Sequence, residues 1–421
     1  MKVVKTLSLV IFLVFLFLVS IAGIVLSAEE KKRGILSSLK EIEIEKIKIS
    51  LGGDARLRYE YKEDFDFDRN KNDRDGLWYF RSRLNLRISF NKNFVLFFEG
   101  LDAQEWDSDR SPKVQEDNFD FHQGYLKLSE LWNMPLSLTI GRQKFQYGAK
   151  RLVGAPVWAN KVRSFDALKL TYNPVSFDID LFIANRVLYK VDQFNDANWG
   201  ENFFGMYITY KGLKGQVFDL YSLNQIDNRH EVKGEDGKYG DLKRYTIGTR
   251  GEGKIPSSSL GYGYEFAYQF GDKASDNIKA FAYHLDVNYC FKELLFQPKV
   301  KIEYNFATGD DDPDDGDAKT FVPLFQTVHG PYGIIDFFRW QNVRHTGLTI
   351  DFVPVRGLKS SLQYHRFYLS ESEAAWYNTR GKHFWNSKVV MPTFLLEIML
   401  MTPVVPMMPI GFTCRRYLSF N

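Results

Sequence analysis

The sequence predicts an all-β protein, a single antiparallel β-barrel that crosses a membrane. Three observations carry that reading. Strand-like runs place apolar and charged residues at alternate positions. Short turns and long acidic segments alternate along the chain. Beyond Leu26 no stretch approaches the roughly 18 consecutive apolar residues of a membrane helix. In Phe80–Phe90 (FRSRLNLRISF), Phe80, Ser82, Leu84, Leu86, Ile88 and Phe90 share one parity, and Arg81, Arg83, Asn85, Arg87 and Ser89 the other. Successive strand side chains point to opposite faces, so one face is greasy and its reverse carries three guanidinium groups. A membrane barrel turns the greasy face to lipid and the arginines to a watery lumen; a soluble sandwich reverses the two.

Taken in order, the chain opens with Lys2 and Lys5, an apolar stretch from Leu7 to Leu26, then Ser27, Ala28 and Glu29–Glu30. That layout is a signal peptide over residues 1–28, cleaved after Ser27 or Ala28. The apolar stretch is also long enough to act as an uncleaved anchor. No cysteine lies near the boundary, so no lipoprotein anchor is indicated. Residues 29–45 read as a charged periplasmic lead-in, and 46–421 as the barrel. The alternation recurs in Ala55–Tyr61 (ARLRYEY), Ala167–Tyr172 (ALKLTY) and Ile302–Phe306 (IEYNF). It assigns Arg56, Arg58, Arg81, Arg83, Arg87 and Lys169 to the lumen. Short connections at Asn91-Lys92-Asn93, Asn173-Pro174-Val175, Gly212–Gly215 and Pro354–Gly357 are hairpin turns. Long ones cover Lys62–Leu77, Glu105–Asn118, Tyr147–Arg163, Val187–Gly200, Asn224–Leu242, Ala307–Asp336 and Ser370–Ser387. Several of these are strongly acidic, as in GDDDPDDGD (309–317). Outer-membrane barrels are built in this way, with short turns in the periplasm and long loops outside the cell. About fifteen candidate strands precede residue 390, and a closed single-chain barrel takes an even number.

Aromatic residues make up 16% of the chain, as barrels with interfacial girdles require. A net charge of +3 gives no bulk field for nucleic acid. Cys290 and Cys414 build neither a disulfide framework nor a zinc motif. No repeat period suggests a propeller. No G-x-S-x-G, H-E-x-x-H or phosphate-loop motif occurs, so no enzyme and no cofactor is expected. The seven histidines (122, 230, 284, 329, 345, 365 and 383) show no ligand spacing along the chain, and no metal is expected. Asp310–Asp317 departs from an EF-hand loop and reads as a solvated acidic loop.

The stretch Gly141–Tyr172, GRQKFQYGAKRLVGAPVWANKVRSFDALKLTY, resembles the signature of the alginate export family of outer-membrane proteins. Further stretches match it in order: GGDARLRYEY (52–61), FRSRLNL with LDAQEW (80–106), YGYEFAYQFG (262–271) and TGDDDPDDGDAKTFVPLFQTVHGPYGIIDFFRWQN (308–342). The resemblance covers roughly residues 47–382. It implies an eighteen-stranded monomeric barrel in the bacterial outer membrane, its pore electropositive and passing an anionic polysaccharide. With the strands counted above, 16–18 strands are expected. The resemblance implies pore roles for Arg142 of GRQ and Arg163 of RSFD, with Arg81 or Arg83. The expected partners are outer-membrane lipid, an acidic polysaccharide such as alginate or other anions, and a periplasmic export machinery. A general anion-selective porin and a soluble periplasmic glycan-binding β-protein are the alternatives.

Two departures stand out. Leu136, Leu138 and Ile140 share parity with Arg142, which puts its charge on the lipid face unless a bulge at Gly141 resets it; otherwise Arg142 lies at the rim. After Gly381 the composition breaks, with prolines at 392, 403, 406 and 409. Residues 383–421 therefore read as atypical, as after a frame change, and too proline-rich for two closing strands, with the last twenty residues irregular or helical.

Overall fold

The computed structural model describes residues 41–44, 47–62, 74–107, 115–333, 336, 338–355, 358–378, 381, 383–385, 393–401 and 419–420. Its strands are β1 (Glu41–Ile44), β2 (Ile47–Lys62), β3 (Asp75–Asn91), β4 (Phe94–Trp106), β5 (Asp117–Leu128), β6 (Leu136–Gln143) and β7 (Phe165–Tyr172). They continue with β8 (Phe177–Leu188), β9 (Asp196–Tyr210), β10 (Gln216–Lys233), β11 (Tyr239–Lys254), β12 (Leu260–Lys273), β13 (Asp276–Cys290) and β14 (Lys299–Ala307). The last are β15 (Asp317–Ala318), β16 (Val343–Val355), β17 (Leu358–Leu369), β18 (Trp376–Tyr377), β19 (His383–Trp385), β20 (Thr393–Met401) and β21 (Ser419–Phe420). From β1 to β14, then β16, β17 and β20, each strand pairs antiparallel with the next, one seventeen-strand meander. Among the described residues the sole helical element is a 3-10 turn at Leu131–Asn133, and no described pairing joins β20 to β1.

Period-two alternation is plain along β12, β13, β14 and β16. On β13, Phe281, Tyr283, Leu285, Val287 and Tyr289 face outward, while Ile278, Ala280, Ala282 and His284 are buried on the inner face. The ladder sets Leu285 against Tyr264 and Tyr304, which continues the outward apolar band onto β12 and β14. Aromatic pairs flank this band: Phe90–Phe94, Phe177–Tyr210 and Tyr289–Phe291 on the short-turn side, Phe80–Trp106 and Tyr245–Phe270 on the other. Amphipathic rings favour the two edges of a bilayer.

Turns at residues 92–93, 173–176 and 211–215 all lie at one end, as expected, and the tip of the turn expected at Pro354–Gly357 falls outside the described residues. One expected loop is corrected. Asn224–Leu242 is a hairpin of β10 and β11 with its tip at residues 234–238. Polar residues can extend a strand once it leaves hydrocarbon, so acidity did not mark a loop here. The β12–β13 connection, on the same side, is only Ala274–Ser275.

The expected lead-in is also revised, because the alternation of Glu41, Ile42, Glu43 and Ile44 forms β1 against β2. At the far end, Thr393–Met401 pairs with β17 through nine residues. None of its nine residues is a proline, so each keeps its ladder donor. The expected irregularity of the last twenty residues falls mainly on residues 402–418, and the signal peptide on residues 1–28, all outside the described residues.

Leu285→Arg, in the outward band, should cost about 2–4 kcal/mol of folding free energy in lipid vesicles. Ser89→Arg, of lumenal parity, should stay within about 0.5 kcal/mol. Urea titration followed by tryptophan fluorescence checks both; equal costs would contradict the face assignment.

Candidate functional site: a lumen crossed by an infolded loop

Residues 144–164, between β6 and β7, fold into the lumen and bridge its walls. At one end sit Arg56 and Arg58 of β2 and Arg81 of β3. Arg56 Nη2 donates to the Trp158 carbonyl at 2.8 Å, Arg58 Nη1 to the same oxygen at 2.6 Å, and Arg81 Nη1 to the Val157 carbonyl at 2.8 Å. The guanidinium groups of Arg56 and Arg58 lie 5.4 and 4.3 Å from the Trp158 ring centre. Asn160 Nδ2 donates to the carbonyls of Phe80 and Gln104 at 2.9 and 3.0 Å. At the other end Arg151 reaches Glu265 Oε2 of β12 at 3.1 Å and His284 Nε2 of β13 at 2.8 Å. β3 and β12 are nine strands apart in the meander, so this segment is a crossbar between opposite walls.

A second segment, between β14 and β16, locks against the crossbar. Phe325 N donates to the Leu152 carbonyl at 2.7 Å, and Gly154 N to the Phe325 carbonyl at 2.8 Å. Arg163 Nη1 clamps both segments through the carbonyls of Gly154 and Phe325, at 2.9 and 2.6 Å. Gln269 of β12 exchanges two hydrogen bonds with the backbone of Val322, at 2.8 and 3.0 Å. Phe145, Phe165, Phe182, Phe203 and Phe325 fill the space beneath as one apolar cluster. Loop carbonyls that no ladder can satisfy are thus met by guanidinium donors, which carry no acceptor of their own.

Arg56, Arg58, Arg81, Arg83 and Arg87 share the inward parity, but their charges are used differently. The first three hold the crossbar, and Arg83 Nε bonds Asp54 at 2.5 Å. Lys169 sits 3.3 Å from Asp180 and over the Phe145 ring. Arg87 is exposed on the inner face and has no carboxylate partner among the described residues. Arg163 lies on the infolded segment and not on a strand, and clamps the two segments together. The expectation for Arg142 is corrected. The ladder through Gly141 has no register shift, so no bulge resets the face. Gly141 instead absorbs the close approach of β5 at φ +120, where a Cβ would lie 2.3 Å from the Gly124 carbonyl oxygen. Arg142 therefore points outward and pairs with Asp166 at 2.7 and 2.9 Å. Asp166, Asn185 and Asn202 continue this polar row across β7, β8 and β9, marking the rim above the apolar band.

Sequence reasoning missed further lumenal cations. Arg186, Arg250 and Arg151 carry acid partners: Glu201 at 3.2 Å, Asp219 at 2.7 Å and Glu265 at 3.1 Å. Arg244 bonds only the neutral Gln225 Oε1, at 2.8 Å, and Arg339 Nη2 the Pro323 carbonyl, at 2.7 Å. Lys127, between Val95 and Thr139 in the ladder, shares the inner face with Arg87 and has no acid partner among the described residues. Parity within β5 would have exposed Lys127; loop-borne Arg339 had no such signal. Burial and then the neighbouring Arg163 and Arg244 push the Arg339 guanidinium down to about 9. Burial and then Arg186 push Arg163 down to about 10. Positive charge is crowded here with little acid to offset it.

The sequence pattern of the alginate export family matches residues 47–388. Solved structures share the fold. Pseudomonas aeruginosa OccD3 (OpdP) is 11% identical with a TM-score of 0.55, covering 87% of this chain and 84% of its own. The outer membrane protein OprD from Pseudomonas aeruginosa is 13% identical with a TM-score of 0.53, covering 85% and 82%. Pseudomonas aeruginosa OccK11 (OpdR) is 12% identical with a TM-score of 0.51, covering 87% and 94%. No curated protein matches the chain.

Removing the tether with Arg56→Ala and Arg81→Ala should raise single-channel conductance while heat-modifiable gel migration, the mark of a folded barrel, persists. Arg142→Ala should leave conductance unchanged and cost at most about 1 kcal/mol. A conductance change in Arg142→Ala alone would contradict the outward placement.

Proposed function

The chain belongs to the alginate export family and is a β-barrel channel of the bacterial outer membrane, and we propose that its lumen conducts anions. The preferred solute is an acidic polysaccharide such as alginate, exported through a monomer supplied by a periplasmic machinery. The observation that carries the reading is the set of lumenal cations without acid partners among the described residues: Arg87 and Lys127 towards the short-turn end, Arg244 and Arg339 by the crossbar. Arginines paired within the wall set no field of their own. Uncompensated ones lower the barrier for an anion and raise it for a cation. A chain of carboxylates would meet basic groups on both sides of the crossbar.

The crossbar also supports a second reading, a general anion-selective porin, since a segment bridging the lumen suits small solutes better than a polymer. Both readings require anion selectivity. The soluble alternative has no support from the family or the fold.

In a salt gradient across a planar bilayer, the reversal potential should have the sign of anion selectivity. Arg87→Ala with Lys127→Ala should lower the anion-to-cation permeability ratio roughly twofold or more. Selectivity should hold between pH 6 and 8, because Arg163 and Arg339, though lowered to about 10 and 9, keep their protons there. Cation selectivity in the unsubstituted channel would refute the proposal.

A further inference from the structure

The register gathers histidines that are scattered along the sequence. Glu303 of β14 and His365 of β17 both lie directly opposite Gly347 of β16. His345 lies two residues from Gly347 on the same inward face. Gly347 leaves an opening that these three side chains surround, and a Cβ there would come within 2.8 Å of Glu303 Cγ. All three are buried, and their ligand atoms lie within 4.8 Å of one another. We propose that Glu303, His345 and His365 form a binding site for a borderline transition-metal dication, Zn2+, in the inner wall of the barrel.

The surrounding hydrogen bonds can run in two directions. In one, Arg151 Nη2 donates to His284 Nε2 (2.8 Å), His284 Nδ1 to Asn305 Oδ1 (2.7 Å) and Asn305 Nδ2 to His345 Nδ1 (2.8 Å). His345 Nε2 then donates to His365 Nδ1 (2.9 Å), and His365 Nε2 to Gln363 Oε1 (3.2 Å). This direction leaves Asp286 Oδ2 at 3.0 Å from His284 Nε2 with no proton between them. Turning the Asn305 amide over reverses the chain, because its oxygen and nitrogen exchange roles in nearly the same shape. His284 Nε2 then donates to Asp286, Asn305 to His284 Nδ1, and His345 Nδ1 to Asn305, at the cost of the Arg151 Nη2 bond to His284, Arg151 keeping Glu265 through Nη1.

The reversed chain is the arrangement that supports a metal-ligating histidine, whose second nitrogen donates towards a carboxylate or carbonyl. It leaves the lone pairs of His345 Nε2 and His365 Nδ1 facing each other, where a bound cation would accept both. Zinc–nitrogen bonds of about 2.0–2.1 Å in a tetrahedral site hold two nitrogens about 3.3 Å apart, so the rings need part by only a few tenths of an ångström. Glu303 supplies the third ligand through Oε1, while its Oε2 stays bonded to Lys301 Nζ at 2.7 Å. Two histidines and a carboxylate suit zinc, with a water in the fourth position. Tyr332, on the segment between β14 and β16, sets its ring edge-on to His345 at 5.8 Å and covers the site from the lumen. The metal would tie β14, β16 and β17 together.

The test uses the full chain folded in detergent, washed with EDTA, desalted and titrated with ZnCl2 by calorimetry, with metal content read by mass spectrometry. One Zn2+ per chain is expected. Affinity should fall at least tenfold in His345→Gln and in His365→Gln and stay unchanged in His329→Gln, a histidine outside the cluster. Co2+ in place of Zn2+ should give the visible bands of a tetrahedral site in the unsubstituted chain, lost in His365→Gln, so one misfolding variant does not decide the result. No stoichiometric binding by the unsubstituted chain, or equal affinity in both folded variants, would overturn the proposal and leave the anion channel untouched.

Discussion

Hydrocarbon offers no hydrogen-bond partner, so every backbone group at membrane depth must find one within the protein. That constraint fixes the continuous antiparallel meander, and the meander fixes the rest. Each strand has one face for lipid and one for the interior, so apolar side chains take the outer face, while the inner face holds the polar groups and the apolar cluster beneath the crossbar. Where polarity does reach the outer face, as at Arg142, Asp166, Asn185 and Asn202, it forms a single row across neighbouring strands. A row at one height reads as the edge of the bilayer and not as a flaw in the pattern.

The same constraint explains why so many lumenal arginines are engaged with backbone. A loop folded into the lumen exposes carbonyls that no neighbouring strand meets. Arg56, Arg58, Arg81 and Arg163 supply donors from fixed positions, and a planar guanidinium can serve two carbonyls at once. Their positive charge stays in the lumen while their protons hold the crossbar. On the proposed function, narrowing the path and keeping it basic are two results of one set of side chains. The cations that remain unmatched by acid, Arg87, Lys127, Arg244 and Arg339, lie on either side of that narrowing.

The strands and their faces were legible because period two is local: Arg81, Arg83 and Arg87 reveal their face within eleven residues. Who partners each charge was not legible, since Arg83 meets Asp54 and Arg58 meets Trp158 only through register and loop path. Loop chemistry misled at Asn224–Leu242, where polar residues extend a hairpin into water. Arg142 followed the plain alternation, and the appeal to a bulge at Gly141 was unnecessary. Glu303, His345 and His365 were invisible for a different reason. Their spacing along the chain means nothing, and only the pairing of β14, β16 and β17 makes them neighbours.

The central claim is a path for acidic polymer, and current blockade tests it most directly. An oligouronate added to one side of a bilayer holding a single channel should produce blockades whose frequency rises with its concentration. A neutral oligosaccharide of the same length should produce few. Equal blockade by the two sugars, or none by the oligouronate, would contradict the account.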